Sequence, residues 1–337
     1  MRSVLITGTA GFIGFHLAQL MLKEGFRVIG YDGMTPYYDP GLKRARHQIL
    51  LQSPGFTCEE GMLEDMPRLQ ALCDRERPDI IIHLAAQAGV RYSLENPRAY
   101  VEANLLGAFN VLECARALGV QHLLMASTSS VYGANPEMPF AEVQKTDMPL
   151  TLYAATKKAN EAMAHSYAHL WKLPVTMFRF FTVYGPWGRP DMALFKFVKA
   201  ALEGDAIDIY NHGQMARDFT YVTDLVRGIR LLVDQPPVQP ESPEDILPGD
   251  SLSLAAPFRT VNIGNSTRVP LMEFVSEVER ALGVTVQKNF MEMQKGDVPE
   301  TWADCSLLKR LTGYQPETSV REGVAAFVAW YRDHYRV

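Results

Sequence analysis

The chain has 337 residues, 47% hydrophobic and 21% charged, with a formal net charge of -5. This mildly acidic balance excludes the electrostatic footprint of a nucleic-acid or anionic-membrane partner, and no apolar run reaches the roughly eighteen residues of a membrane span. The length suffices for two domains, or for one large α/β domain with an appended cap.

From the N-terminus, Arg2 precedes an apolar stretch, but Thr7, Gly8, Gly11, Gly14 and His16 interrupt it and no leader is expected. Apolar runs at 3–7, 26–31, 79–84, 121–127 and 174–180 are short and rich in Val, Ile, Leu or Phe, as strands buried on both faces should be. Between them, 12–24, 67–76, 97–118 and 152–171 show helical spacing. This alternation predicts a Rossmann-type, doubly wound parallel α/β sheet. After about residue 182 the rhythm is lost and Gly and Pro become frequent. The expected division is a dinucleotide-binding domain over 1–182, with 221–234 and 258–264 returning to it, and a smaller lobe formed mainly by 183–337. The proline-rich, acidic stretch 235–257 reads as a surface excursion. Cys58, Cys73, Cys114 and Cys305 are scattered without metal-like spacing, so no metal is expected and a reduced, cytoplasmic protein is.

Gly8-Thr-Ala-Gly11-Phe-Ile-Gly14 follows the first strand and opens the first helix. Gly8 permits the tight turn, Gly11 lets backbone approach phosphate, and Gly14 lets helix and strand pack closely. Asp32 ends the second strand where a ribose-binding acid belongs. A carboxylate there accepts from both ribose hydroxyls and repels a 2′-phosphate, which favours NAD over NADP. Lys43, Arg44 and Arg46 read as solvated helix surface within reach of the adenosine.

Tyr153 and Lys157 lie one helical turn apart and share a face. A free phenol titrates near pH ~10; a neighbouring ammonium and an oxidised nicotinamide would lower that value and make a usable base. The segment Ala126–Gly133 supplies hydroxyls, Thr128 among them, to orient a substrate alcohol.

These motifs, with His83-Leu-Ala-Ala-Gln87, Asn104-Leu-Leu-Gly107, Arg179–Gly188 and Arg217–Asp224, resemble the nucleotide-sugar epimerase and dehydratase branch of the extended short-chain dehydrogenase/reductases over nearly the whole length. The resemblance implies Thr128, Tyr153 and Lys157 as catalytic hydroxyl, base and lysine. It also implies that Phe12, Ile13, Lys43, Leu63, Leu84, Ala85, Ala86, Asn104 and Phe180 join Gly8, Gly11, Gly14 and Asp32 around NAD. Arg217 would grip the diphosphate of a UDP-sugar.

Dehydratases of this branch resemble T-D-E at the catalytic threonine, and decarboxylases T-S-E. Here Thr128-Ser129-Ser130 lacks either carboxylate, and a lone serine is no substitute near neutral pH. The outcome implied is 4-epimerisation. The pattern is most similar to UDP-glucuronate 4-epimerases, through Tyr37-Tyr38-Asp39, Ala88–Ser93 and Trp187–Met192. By that match Arg189, Ser129 and Ser130 would surround the sugar carboxylate, Thr182 would steer the ring, and Arg91 and Asp297 would contact substrate. The alternatives are an epimerase of UDP-glucose or UDP-N-acetylglucosamine, a UDP-glucuronate decarboxylase, and a non-catalytic NAD sensor. The resemblance also implies a homodimer through 97–118 and 152–171.

Two positions depart from the pattern. Met62 follows Gly61 where the family usually has an Asp that bonds adenine, so either backbone and Asp65 take over or adenine is held less specifically. Gln294 stands where UDP-galactose epimerases have a second diphosphate arginine, which leaves phosphate binding to Arg217.

Overall fold

The computed structural model describes residues 1–337. Seven strands form the central sheet: β1 (Ser3–Thr7), β2 (Arg27–Asp32), β3 (Phe56–Glu60), β4 (Ile80–His83), β5 (His122–Thr128), β6 (Val175–Phe180) and β7 (Phe258–Ile263). All pair in parallel, in the order β7-β6-β5-β4-β1-β2-β3. The chain runs outward from β1 to β3 and then crosses back to β4. The crevice between the ends of β1 and β4 is therefore the switch point where such sheets bind ligands.

Helices α1 (Phe12–Lys23), α2 (Pro40–Leu50), α3 (Met66–Glu76), α4 (Gly107–Leu118) and α5 (Leu152–Trp171) cover the two faces. One face carries an apolar cluster of 33 buried residues, including Phe15, Leu17 and Met21 of α1. The other carries 23, including Leu69 of α3, Val111 of α4 and Ala164 of α5. Strands β1, β4 and β5 are buried throughout because helices sit on both sides of them.

Sequence periodicity misses β3. Its Thr57-Cys58-Glu59-Glu60 is polar and, apart from the half-buried Glu59, exposed because β3 is the sheet edge, where charged side chains guard against further pairing. The segment 97–118 is one helical passage of mixed pitch. A short turn at Pro97–Tyr100 leads into a π-helical stretch, Val101–Leu106, which runs into α4.

Beyond β6 lie α6 (Ala193–Glu203), α7 (Val222–Val233), α8 (Leu271–Leu282), α9 (Ser306–Thr312) and α10 (Val320–Tyr335). A separate core of 18 buried residues holds α6, α8 and α10 together, with Phe219 stacked on Phe274 at 3.9 Å between ring centroids. The buried face of α7 belongs instead to the first core, as do Val261 and Ile263 of β7. So do Ala303, Cys305, Leu307 and Leu308, so a further segment around α9 also packs there. No helix is long and apolar enough to cross a membrane.

A buried ion pair fixes α5 to the sheet. Arg179 of β6 donates from Nε and Nη2 to the two oxygens of Glu161 at 2.9 Å each, and both side chains are only 4% exposed. Ser127 of β5 donates to the same carboxylate at 2.7 Å. Arg179 Nη1 donates to the Tyr132 hydroxyl, which in turn donates to Asn262 of β7. Removing one member strands a buried charge, at a cost of about 3–5 kcal/mol. Arg179→Met is expected to lower unfolding free energy in urea by about that amount, and adding Glu161→Gln should restore part of the loss. A single variant within about 0.5 kcal/mol of the parent would contradict the assignment.

Candidate active site

The glycine turn after β1 closes on its own carbonyl. Gly8 has φ +84°, and a Cβ there would lie 2.9 Å from Ala85 N. At Gly14 a Cβ would lie 2.0 Å from Gly8 O, so the start of α1 can approach the turn only without a side chain. Gly11 N–H donates to Gly8 O at 2.9 Å and Gly11 caps α1, leaving the first amides of the helix for an anion.

Asp32 ends β2 and is 8% exposed. Its Oδ2 accepts from Ala10 N and its Oδ1 from Met34 N, both at 2.9 Å. A carboxylate offers about four lone-pair positions, so two remain for ribose hydroxyls. The cradle and this acid fit a dinucleotide.

The basic residues of α2 differ from the sequence reading. Arg44 is exposed, but Lys43 and Arg46 are buried. Lys43 Nζ donates to Thr35 O at 2.7 Å, with burial lowering its pKa and Asp32 opposing that effect. Arg46 Nη1 donates to Ala10 O and to the Tyr38 hydroxyl at 2.7 Å, and Nη2 to Trp187 O at 2.6 Å. It staples the glycine turn to the loop carrying Arg189, a role that charge and spacing alone do not disclose.

One cavity runs along the sheet edge. Gly8, Gly11, Phe12, Ile13 and Gly14 line it at the cradle, with Asp32 and Lys43 beyond. Leu63 lines it after β3, Leu84, Ala85 and Ala86 after β4, and Phe180 at the end of β6. Thr128, Tyr153, Lys157 and Arg189 line the same cavity. Asn104 does not. Its side chain is buried and clamps the Gln87 backbone, accepting from its N–H at 2.8 Å and donating to its carbonyl at 3.0 Å, and also reaches Thr156 at 3.2 Å. It braces the loop after β4 against α5. Thr35, Tyr37, Met62, Glu64 and Met192 line the cavity without having been singled out as cofactor or substrate contacts. Tyr37 and Met192 lie in segments that carry the family resemblance and Met62 at a departure from it, whereas for Thr35 and Glu64 only a place in a loop after a strand could have been a signal.

Burial sets the electrostatics around Tyr153 and Lys157. Tyr153 starts α5, whose N-cap Thr151 accepts from Ala154 N at 3.2 Å. Burial raises the phenol's pKa, opposed by a hydrogen bond with Thr128 and by the charge of Arg189. Lys157, one turn further along α5, lines the same cavity as that phenol. An oxidised nicotinamide would add positive charge beside them. Lys157, 2% exposed, is lowered to about 8 by burial, with Glu161 opposing, and so remains protonated at pH 7. His83 beside it is lowered to about 3 by burial and by Lys157, and is neutral.

The residues expected to hold substrate are dispersed. Thr182 lines a small adjoining cavity with Arg189 and Met192. Ser129 and Ser130 lie in a tight turn after β5; Ser130 Oγ accepts from Thr128 at 3.3 Å. Arg189 forks onto Asp191 at 3.0 and 2.5 Å, and the Tyr37 hydroxyl joins that carboxylate. Arg91 pairs with Asp297 at 3.1 Å and lies over the Tyr210 ring. Arg217 donates to the carbonyls of Ala216, Val298 and Pro299. Asp65, a candidate for adenine, instead caps α3 by accepting from Arg68 N at 3.2 Å and is exposed.

Residues 4–246 match the model of the NAD dependent epimerase/dehydratase family. A probable UDP-glucuronate 4-epimerase of Rhizobium meliloti is 58% identical over 332 residues, covering 98% of this chain and 97% of that protein. UDP-glucuronate 4-epimerase 4 of Arabidopsis thaliana is 45% identical, covering 99% of this chain and 76% of that protein. The crystal structure of UDP-glucuronic acid 4-epimerase from Bacillus cereus, in complex with UDP-glucuronic acid and NAD, superposes with a TM-score of 0.86 at 31% identity over 99% of this chain and 100% of that one. A glycine cradle, a buried acid ending β2 and a Tyr–Lys pair in one crevice, with a family match over more than half its length, place this chain in the NAD dependent epimerase/dehydratase family.

Proposed function

We propose that the protein is an NAD-dependent UDP-sugar 4-epimerase, converting UDP-glucuronate to UDP-galacturonate. The observation that carries this is the convergence of Thr128, Tyr153 and Lys157 on the cavity that begins at the glycine cradle, with no carboxylate at 129 or 130. The relatives named for this activity, and the Bacillus cereus structure with NAD and UDP-glucuronic acid, support the same reading.

NAD, held by the cradle, Asp32 and Lys157, would supply a hydride acceptor and then donor, so that the sugar's C4 carbon is inverted with no net oxidation. Tyr153 Oη would take the proton of the C4 hydroxyl, hold it while the sugar carries a ketone, and return it. Thr128 would orient that hydroxyl. Lys157 would donate to ribose hydroxyls and keep positive charge near the phenol. The 4-keto sugar must turn over before reduction. An acid beside Thr128 could divert it toward elimination, and the two serines offer none.

A uronate needs its carboxylate matched by charge or donors, since burial without them costs several kcal/mol. Arg189 supplies the charge. Asp191 engages two of its N–H groups, and a guanidinium has five. Ser129, Ser130 and Thr182 would add hydroxyls, and Arg217, Arg91 and Asp297 would meet the diphosphate side. The division of labour follows, with 1–182 plus 221–234 and 258–264 holding NAD, and 183–337 mainly holding the nucleotide sugar. The exposed Val101, Leu106, Phe109, Leu170 and Trp171 on the two helical passages support a homodimer. Buried thiols at Cys73, Cys114 and Cys305 suit a reducing cytoplasm, and the product suits transfer into a surface polysaccharide.

Purified protein given UDP-glucuronate should produce UDP-galacturonate by proton NMR, whereas UDP-glucose should remain unchanged. A pentose product would favour decarboxylation, and turnover of UDP-glucose alone a neutral-sugar epimerase. Tyr153→Phe should retain NAD released on denaturation yet lose kcat by about 10²–10⁴-fold; near-normal kcat would remove it as the base. Phe109→Asp is expected to halve the mass seen by light scattering, and an unchanged mass would place any dimer contact elsewhere.

A further inference from the structure

The arginine proposed to meet the uronate, Arg189, follows a backbone position that L residues seldom adopt. Trp187 has φ +60°. A bulky side chain in the left-handed region is uncommon and persists only where its surroundings hold it there. Three sets of contacts do so. The indole packs edge-on against Phe15 of α1 with ring centroids 5.5 Å apart, and lies 5.3 Å from Trp330 and 4.8 Å from His334 of α10. His16 of α1 donates from Nε2 to Pro186 O at 2.9 Å. Burial lowers the pKa of His16 to about 4, so the ring is neutral and that nitrogen carries its one proton. Arg46 Nη2 donates to Trp187 O at 2.6 Å and reaches Gly188 O at 3.5 Å.

A cation is an expensive way to make the last of these bonds. Arg46 is fully buried, and every oxygen it reaches is neutral: Ala10 O, the Tyr38 hydroxyl, and the carbonyls of Trp187 and Gly188. A buried charge without a carboxylate beside it is costly, and an apolar side chain would fill the same space. What only a guanidinium adds is a rigid planar fork, with one arm on the glycine turn and the other on the carbonyl two residues before Arg189. Through Tyr38 the fork also touches the segment after β2, where Tyr37 donates to Asp191, the partner of Arg189. Arg46 therefore sits where the glycine turn, the Tyr37-Tyr38 segment and the Trp187 turn meet.

We propose that Arg46 is a positioning residue for uronate recognition, holding Trp187 in its left-handed turn and so placing the Arg189 guanidinium against the sugar carboxylate. This deepens the reading of Arg189 given above and rests on it. Arg46 does not line the cavity and acts through Arg189. A loosened Arg189 binds the uronate less tightly in ground and transition states alike, which raises KM and spares kcat.

The test measures kcat and KM for UDP-glucuronate, and the inhibition constant of UDP, which lacks the sugar carboxylate, in the full chain and in four variants. Arg46→Met should raise KM about tenfold while kcat and the UDP constant stay within about twofold of wild type. Arg46→Lys should raise KM nearly as much, because one ammonium cannot fork between the two turns. His16→Phe, which removes the other bond to the same turn, should show the same signature at about threefold. NAD released on denaturation reports that each variant has folded. An unchanged KM in Arg46→Met, full rescue by lysine, or a loss shared equally by kcat, UDP binding and NAD content overturns the proposal. Should neither Arg46 variant fold, an unchanged KM in His16→Phe overturns it and a raised KM alone supports it. Wild type that leaves UDP-glucuronate unconverted, or an unchanged KM in Arg189→Met, overturns the uronate reading and this proposal with it.

Discussion

The buried pair of Glu161 and Arg179 is the contact on which the geometry of the proposed active site depends. Tyr153, Lys157 and Glu161 fall at successive intervals of four along α5 and so share one face. The carboxylate at the inner end of that stripe is locked to β6 by a bidentate fork, and Ser127, one residue before Thr128, bonds to the same group. Phenol, ammonium and threonine are therefore held in register by a contact outside the reaction. Two desolvated charges are a costly way to join a helix to a sheet. What they add over apolar packing is direction, because a guanidinium fork allows one orientation where leucines would allow several.

The arginines proposed to meet substrate already have partners. Arg189 rests on Asp191, Arg91 on Asp297, and Arg217 on three backbone carbonyls. A phosphate or carboxylate entering this region would exchange with those partners and would not meet bare charge. The net gain is then a difference between two sets of hydrogen bonds, which favours selectivity over raw affinity.

Much of this was legible in the sequence where one local rule sufficed. The glycine spacing, the acid ending β2, the buried strands and the Tyr–Lys interval each depend on neighbours within a few residues. What escaped depends on distant ones. β3 is polar because it is an edge, a fact about the sheet order. Arg46 looks like any helix-surface arginine until Ala10, Tyr38 and Trp187 are seen to converge on it. Asn104 sits in a recognisable motif but acts on the loop that positions cofactor contacts, and does not touch the cavity. Burial, which raises the phenol's pKa, is likewise a fact of tertiary packing that a spacing of four residues does not reveal.

The π-helical stretch at Val101–Leu106 has its own consequence. A regular α-helix presents a single phase along its length, so inward and outward residues repeat in fixed alternation. An enlarged turn resets that phase. Asn104 can then face inward at 1% exposure while Val101, Leu106 and Phe109, all above 40%, share the outward side. The enlarged turn acts as a phase shifter, drawing Val101, Leu106 and Phe109 into a narrower outward stripe than the roughly 140° arc of an unbroken α-helix, with Asn104 left opposite. Shortening it by one residue would turn Val101 by about 100° relative to Phe109 and break that stripe.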